Sequence, residues 1–533
     1  MRSIKILDCT LRDGGYVNDW NFGMGTIQSI ISRLDKAGID IIEIGFLDER
    51  RKYDENRAIL PDTDSFTPVF KNLDIKGAMI LAMIDYGTCG IEKLTEQKDS
   101  VLDGIRVIFK KKDYPQALKF CEEIKKKGYK LSLQPVSVTT YSDNEMMELL
   151  KKVNELAPYS ISIVDTYGLM HKKELLHYFN LIDKNLSEEI LIGYHSHNNF
   201  QLGYANCTEL MAVDSDRELI VDGSLYGMGK SAGNACTELL AMHVNENYGS
   251  QYNLDQLLEA IDVDIMKEYE KQYWGYSLKH FIAASNDCHP DYVSNLLNKK
   301  TLSVKSIQEI IAKIPPENKL TFNRALMENL YLEYQDKVIE DSGAYASLSN
   351  ELGRRNILII APGKSIELHA EKIRSFIHEK NPLIITINFI NDDFDPNYVF
   401  MGNAKRYSQF FNKIYRKDLD VKVICTSNVS ESNKKIDYKF NFTSLVNEEV
   451  LIRDNPMLML LKILVKMKIK QAYLAGFDGY SADNSRNYPV EYIQFLFCDD
   501  DVVLRNEAVK KALAAIGTNI KLEFLTPSLY VKN

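Results

Sequence analysis

Two histidines one residue apart, His195 and His197, close an apolar run, and the pair Arg12-Asp13 follows another. Side chains of a β-strand alternate faces with a period of two, so His-x-His at a strand end turns both imidazoles to one side. Two imidazoles and one carboxylate, here Asp13, form a facial set for a divalent cation and leave positions open for a chelating substrate. A cation held that way acts as a Lewis acid on a carbonyl oxygen. Arg12, next to Asp13, is placed to meet the negative charge that develops on such an oxygen. His-x-His alone is a weak metal signal. Joined to Arg-Asp at the end of a different strand it becomes far more specific.

The elements that must position these residues occupy the first 245 or so positions. Short β-rich runs lie at Ile4–Asp8, Ile39–Phe46, Gly77–Ile84, Gly104–Phe109, Lys130–Val138, Ser160–Asp165, Ile190–His195 and Leu219–Leu225. They recur at roughly the length of a βαβ unit. Several hold unbroken apolar stretches, as strands covered on both faces do. Amphipathic segments separate them, among them Gly25–Lys36, Tyr114–Lys127, Asn144–Leu156 and Lys172–Leu181. Alternation on this scale predicts an α/β fold, a (β/α)8 TIM barrel, with a doubly wound open sheet as the alternative. Polar residues gather where the strands end: Asp13, Glu43, Asp85, Gln134, Asp165, Thr166, His195 and His197. In a barrel those ends converge on the face that carries the active site.

Three segments carry a family resemblance. Leu11-Arg12-Asp13-Gly14 resembles the opening signature of the DRE-TIM metallolyases, the HMG-CoA lyase-like superfamily. His195-Ser196-His197-Asn198 resembles its second signature, and Gly227-Met228-Gly229 with Ala232-Gly233-Asn234-Ala235 its third. The third segment looks closest to the 4-hydroxy-2-oxovalerate aldolase group. The resemblance implies that Asp13, His195 and His197, with Asn234 as a further position, bind Mn2+ or Mg2+. It implies that Arg12 contacts the keto or enolate oxygen of a 2-oxo acid such as pyruvate and that Thr166 holds its carboxylate. An aldehyde would be the second small-molecule partner, and a homo-oligomer is expected by analogy. One departure stands out. These aldolases place a catalytic His where this chain has Tyr16, and an ordinary Tyr, with a pKa of about 10, is a poor base near neutrality. Tyr276, in Trp274-Gly275-Tyr276-Ser277, lies where the aldolases supply a tyrosine to the site; His280 and His289 are further candidates. Cys9 and Cys236 flank the motifs and read as buried packing. An acyl-CoA-dependent Claisen condensing enzyme is the alternative within the superfamily; Lys230-Ser231, where those synthases carry Glu-Arg, speaks against it.

Composition sets the outer bounds. The chain has 533 residues, 45% hydrophobic and 26% charged, with a formal net charge of -9. That suits a multidomain globular protein and disfavours a nucleic-acid role. Eight scattered cysteines with no C-x-x-C pair, together with an N-terminus lacking an apolar signal region, predict a cytoplasmic enzyme. The apolar stretch Met457 to Val465 is too short to span a bilayer, so no membrane partner is expected.

Beyond the barrel, 1–250 in this reading, residues 251–340 read as a helical extension and 341–355 as a polar linker. A second pattern over 356–533 predicts a doubly wound, Rossmann-like α/β domain. Ile357-Leu358-Ile359-Ile360-Ala361-Pro362-Gly363-Lys364-Ser365 falls short of a P-loop, because Leu358 stands where the first glycine is required. Asn388, Tyr398-Val399-Phe400-Met401-Gly402-Asn403 and Gly476-Phe477-Asp478-Gly479 distantly resemble the Rossmann domains of sialyltransferase-like and motility-accessory glycosyltransferase families. That resemblance implies a nucleotide or nucleotide-sugar ligand there. It would make a glycosyl- or nucleotidyl-transferase the third reading of the chain, with a link to surface polysaccharide synthesis.

Overall fold

The computed structural model describes residues 3–390, 392–414, 420–429, 436–481, 483, 487–488 and 499–531. The chain forms two compact units, Met1–Pro290 and Asp291–Asn533. Among the described residues no helix is long and apolar enough to cross a membrane.

The first unit is a closed parallel barrel. Its strands are β1 (Ile4–Asp8), β2 (Ile41–Leu47), β3 (Met79–Asp85), β4 (Gly104–Phe109), β5 (Lys130–Pro135), β6 (Ser160–Asp165), β7 (Leu191–Ser196) and β8 (Leu219–Gly223). Each pairs with the next, and β1 closes the ring by pairing with both β8 and β2. A two-residue strand, Ile59–Leu60, adds to the top of β2. Amphipathic helices cover most of the outside. In Asp143–Leu156 the residues Met146, Leu149, Leu150 and Val153 are buried at helical spacing, and Ser142 with Glu145 closes a capping box at its start. The β3–β4 crossover carries no α-helix, only the 3₁₀ turns Ile91–Lys93 and Gln97–Asp99.

Period-two alternation sorts the barrel interior into layers. A small apolar cluster of Leu7, Ile41, Leu81, Leu191 and Ile220 fills the interior at one level, distinct from the main core between strands and helices. Further along three of these strands the inward positions turn polar: Glu43 on β2 and Asp222 on β8, two residues on, and, beyond Gly193, His195 on β7. Arg106, from the middle of β4, joins that layer fully buried.

The second unit begins with helices that include Val304–Ile311, Arg324–Gln335 and Ser342–Leu352. The stretch read as a linker thus holds a helix, which buries Tyr345, Leu348 and Leu352. Among the described residues seven parallel strands follow: β9 (Ile357–Ile360), β10 (Leu383–Ile387), β11 (Tyr398–Met401), β12 (Lys422–Thr426), β13 (Tyr438–Phe440), β14 (Gln471–Ala475) and β15 (Lys521–Phe524). Their order is β13-β12-β11-β10-β9-β14-β15, a Rossmann-like open sheet. The edge strand β13, only three residues long with Lys439 at its centre, leaves too short a pattern to read from sequence. Apolar clusters lie on both faces of the sheet, as a doubly wound arrangement requires.

Candidate metal centre

Ligand-capable atoms of Asp13, His195 and His197 lie within 4.8 Å of one another, and all three residues are buried. Each arrives by a local rule. His195 continues the inward parity of β7, and His197 follows two residues later. Asp13 sits in the turn after β1, whose backbone is held by hydrogen bonds from Arg12 and Asp13 N–H to Cys9 O at 3.1 and 2.7 Å.

Asn234 completes the arrangement. Its segment bridges His197 as an isolated antiparallel pair, and its Nδ2 donates to Asp13 Oδ2 at 2.9 Å. Lys230 N–H donates to the same oxygen at 3.0 Å. A Cβ on Gly229 would lie 2.4 Å from Asn234 Nδ2 and 2.7 Å from Asp13 Oδ2, so only glycine lets this loop approach. Gly168 does the same from β6: at φ +62 its added Cβ would lie 2.7 Å from His197 O.

A buried circuit of charges stands behind the trio. Arg12 Nη1 donates to Asp13 Oδ1 at 2.5 Å, and Arg12 Nε to Glu43 Oε2 at 2.6 Å. Arg106 Nη1 lies 3.1 Å from Glu43 Oε2, and Arg106 Nη2 donates to Asp222 Oδ2 at 2.6 Å. Asp222 Oδ2 in turn lies 3.0 Å from His195 Nδ1. The chain Asp13–Arg12–Glu43–Arg106–Asp222–His195 thus leads from one member of the trio back to another. A carboxylate on one ring nitrogen fixes the imidazole and frees the other nitrogen for a metal. Two guanidinium charges face three carboxylates, which leaves one net negative charge to be met.

The electrostatics agree. Burial would raise the Asp13 carboxyl, but Arg12, the two histidines and the Asn234 hydrogen bond together outweigh it and hold Asp13 below the usual carboxylate range. Burial pushes His197 down to about 3, so its imidazole is neutral, the form that ligates metal. Beside Asp13, two buried polar atoms lack any hydrogen-bond partner among the described residues, His197 Nδ1 and Asn234 Oδ1; in the circuit behind them Glu43 Oε1, Arg106 Nη1 and Asp222 Oδ1 do too. Native interiors rarely leave such atoms unpaired. Two lone-pair donors beside an ionised carboxylate fit a divalent cation, so the residues present suit the metal that the sequence implied.

The other expected residues fall into place differently. Arg12 is buried, and its Nη2 makes no hydrogen bond among the described residues. Thr166 Oγ1 accepts the Ser137 N–H at 2.8 Å, leaving its hydroxyl proton free. Tyr16 stacks edge-on against Trp20 and Phe46, with Lys230 Nζ 5.3 Å from its ring centroid. Its surface is 43% accessible. The surrounding protein and the nearby Asp13 carboxylate still push the phenol up to about 12. Tyr276 is 55% accessible and meets Phe281 edge-on at 6.4 Å; it makes no hydrogen bond to the trio. His280 is buried, and burial lowers it to about 4. Asp85 lines a small recess with Arg50 and Lys110, and partial burial raises its carboxyl. Cys9 is buried against Gly223 O, with its thiol pushed up by burial, and is inert packing. The seven described cysteines are all free; Cys498 lies outside the described residues. Arg106 and Asp222 escaped the sequence reading. Their only signal was a charge inside each of two otherwise apolar strands, Gly-Ile-Arg-Val-Ile-Phe and Leu-Ile-Val-Asp-Gly.

Comparison with known proteins agrees with this geometry. Residues 108–263 match the family described as HMGL-like. An oxaloacetate decarboxylase of Mycobacterium tuberculosis is 25% identical over 270 residues, 50% of this chain and 78% of that protein. A 4-hydroxy-2-oxovalerate aldolase of Roseiflexus castenholzii is 27% identical over 265 residues, 48% of this chain and 75% of that protein. A crystal structure of the N-terminal domain of an aldolase candidate from Bacteroides vulgatus aligns with a TM-score of 0.47 at 23% identity. The alignment covers 55% of this chain and 96% of that one. These matches support the DRE-TIM metallolyase superfamily for the barrel. The chain is accordingly an enzyme of the metal-dependent lyase class.

Proposed function

We propose that the barrel interconverts a 2-oxo acid and its enolate while a carbon–carbon bond at C3 breaks or forms, as an aldolase of the 4-hydroxy-2-oxo acid type. The observation that carries this reading is the buried Asp13–His195–His197 set, with two unpartnered donor atoms and Arg12 beside it. Asp13, His195 and His197 would hold a divalent cation, Mn2+ or Mg2+, which would supply Lewis acidity to the reaction of a 2-oxo acid. The remaining work falls to the chain's own residues. Glu43 and Asp13 fix Arg12 so that Nη2 is left for the C2 oxygen. That is where negative charge collects as the C3–C4 electron pair moves into the carbonyl. The Thr166 hydroxyl donates to the carboxylate. Tyr16 holds its proton at neutral pH and, 43% accessible, exchanges it with solvent; in the condensing direction it passes that proton to the C4 oxygen and is reprotonated by water, and in cleavage water first takes the phenol proton and the phenolate then accepts the one that the C4 hydroxyl loses. Tyr276 meets the far end of the substrate from the rim.

Decarboxylation is the second reading, and Tyr16 favours it. Loss of CO2 from C3 of a 3-carboxy-2-oxo acid gives the same enolate without any base to deprotonate a C4 hydroxyl. A phenol that holds its proton up to about 12 fits that route. The Mycobacterium tuberculosis relative carries the name of such a decarboxylase.

Exchange of the pyruvate C3 protons in D2O, followed by NMR, tests the shared step. Exchange above a no-enzyme control that stops with EDTA and returns with Mn2+ is expected; its absence overturns both readings. Turnover of 4-hydroxy-2-oxovalerate against oxaloacetate then separates them.

A further inference from the structure

One cation at the mouth of the barrel has no part in the chemistry set out above. Lys230 stands in the loop after β8, and the metal centre uses only its backbone. Its N–H donates to Asp13 Oδ2 at 3.0 Å, and its carbonyl accepts Gly233 N–H at 3.0 Å. Ser231, next to it, turns the chain at φ +61. The root of the side chain is thus held from both sides. From there the half-buried side chain crosses Tyr16, with Nζ 5.3 Å from the ring centroid.

The Lys230 ammonium makes no ion pair among the described residues. Asp13 is already taken by Arg12 Nη1, Asn234 Nδ2 and the Lys230 N–H itself. Asp85, at the end of β3, is met by Lys110 and Arg50 before Lys230. Behind burial, which acts most strongly on both, the Lys230 charge is still felt by His197 and by Asp85. Its field therefore spans the space from the metal trio to the end of β3.

Tyr16 marks where the C4 oxygen goes in the aldolase reading, on which this inference rests. Lys230, over the same ring, then meets the substituent that C4 carries. An ammonium with no protein partner is completed by an anion from the ligand, through a charge-assisted hydrogen bond. A plain alkyl substituent would instead take water from the charge and return nothing. We propose that Lys230 selects the electrophile, and that the aldehyde carries a carboxylate or a phosphate a short distance from its carbonyl. Condensation joins C3 of the enolate to the carbonyl carbon, and cleavage breaks the same bond. The anionic group takes part in neither step and serves to place the carbonyl beside Tyr16.

Two matched pairs of aldehydes test this on the full chain with Mn2+ and pyruvate, with product followed by NMR. They are glyceraldehyde 3-phosphate against glyceraldehyde, and succinic semialdehyde against butanal. At least one charged aldehyde is expected to exceed its neutral match tenfold or more in kcat/KM; the pair that shows it tells phosphate from carboxylate. Lys230→Met should bring that ratio down at least tenfold, mainly through KM. Lys230→Arg keeps the charge and should retain most of the ratio. Because the ratio is read within each protein, a general loss of folded or metal-loaded enzyme cancels. Exchange of the pyruvate C3 protons is measured in the same samples. Exchange with no preference in either pair, or a preference that survives Lys230→Met, overturns this proposal and leaves the enolate chemistry standing. Absence of exchange removes both.

Discussion

Asp222→Asn isolates what the buried circuit does for the metal centre. The substitution preserves shape and leaves Asp13, His195 and His197 untouched. It removes the carboxylate that sits 3.0 Å from His195 Nδ1 and 2.6 Å from Arg106 Nη2. Two effects add. The imidazole loses the partner that orients it, a loss worth about 10- to 100-fold in metal affinity, or about 1.4 to 2.8 kcal/mol. The site also changes from one net negative charge to none, which weakens its hold on a cation further. Arg106 keeps Glu43 at 3.1 Å, so the fold is not left with an unpaired guanidinium. Mn2+ titration of the metal-free chain, read by calorimetry or by the free-ion electron spin resonance signal, reports Kd without reference to turnover. A Kd raised at least tenfold is expected. A Kd within twofold of the parent would show that His195 needs no carboxylate behind it and would refute the reasoning.

Other consequences can be checked in the same way. Tyr16→Phe should leave the shape of the pH profile for pyruvate exchange unchanged between pH 6 and 9, because the phenol holds its proton up to about 12; a limb that vanishes with the hydroxyl would restore Tyr16 as the base. Gly168→Ala forces a positive-φ residue and a Cβ 2.7 Å from His197 O. It should destabilise the barrel by about 1–3 kcal/mol and weaken Mn2+ binding, and normal urea midpoint and affinity would contradict that. Burial raises Asp165 from its ordinary 3.8 to about 6. Between those values the folded chain keeps a proton that the unfolded chain has released, so this group's contribution to stability falls as pH rises through the window. Asp165→Asn removes the contribution, and the parent should lose more stability than the variant from pH 4 to 6; parallel curves would refute it.

Much of the site was legible because it obeys short-range rules. Period-two alternation put His195 and His197 on one side of β7, and the ends of parallel strands converge wherever a barrel closes. What stayed hidden depends on long-range pairing. Arg106 and Asp222 are 116 positions apart, and nothing local distinguishes them from charges at an exposed strand edge. The helix Ser342–Leu352 was lost for a different reason. Its serines, Gly343 and Asn350 give a polar average, while the three residues it buries are spaced too thinly to outweigh them. The role of Tyr16 was equally beyond the sequence, because its environment and not its type sets when the phenol ionises.

The closed run of ion pairs from Asp13 to His195 also bears on how this barrel can change over generations. Each charged member inside it answers for two neighbours. Losing Glu43 alone takes one of two partners from Arg12 and from Arg106, and losing Arg106 alone does the same to Glu43 and Asp222, so single replacements should be more harmful than coordinated ones. Double-mutant cycles across Glu43, Arg106 and Asp222 should therefore depart strongly from additivity. These positions can drift only together, which makes them one heritable unit although they come from three separate strands.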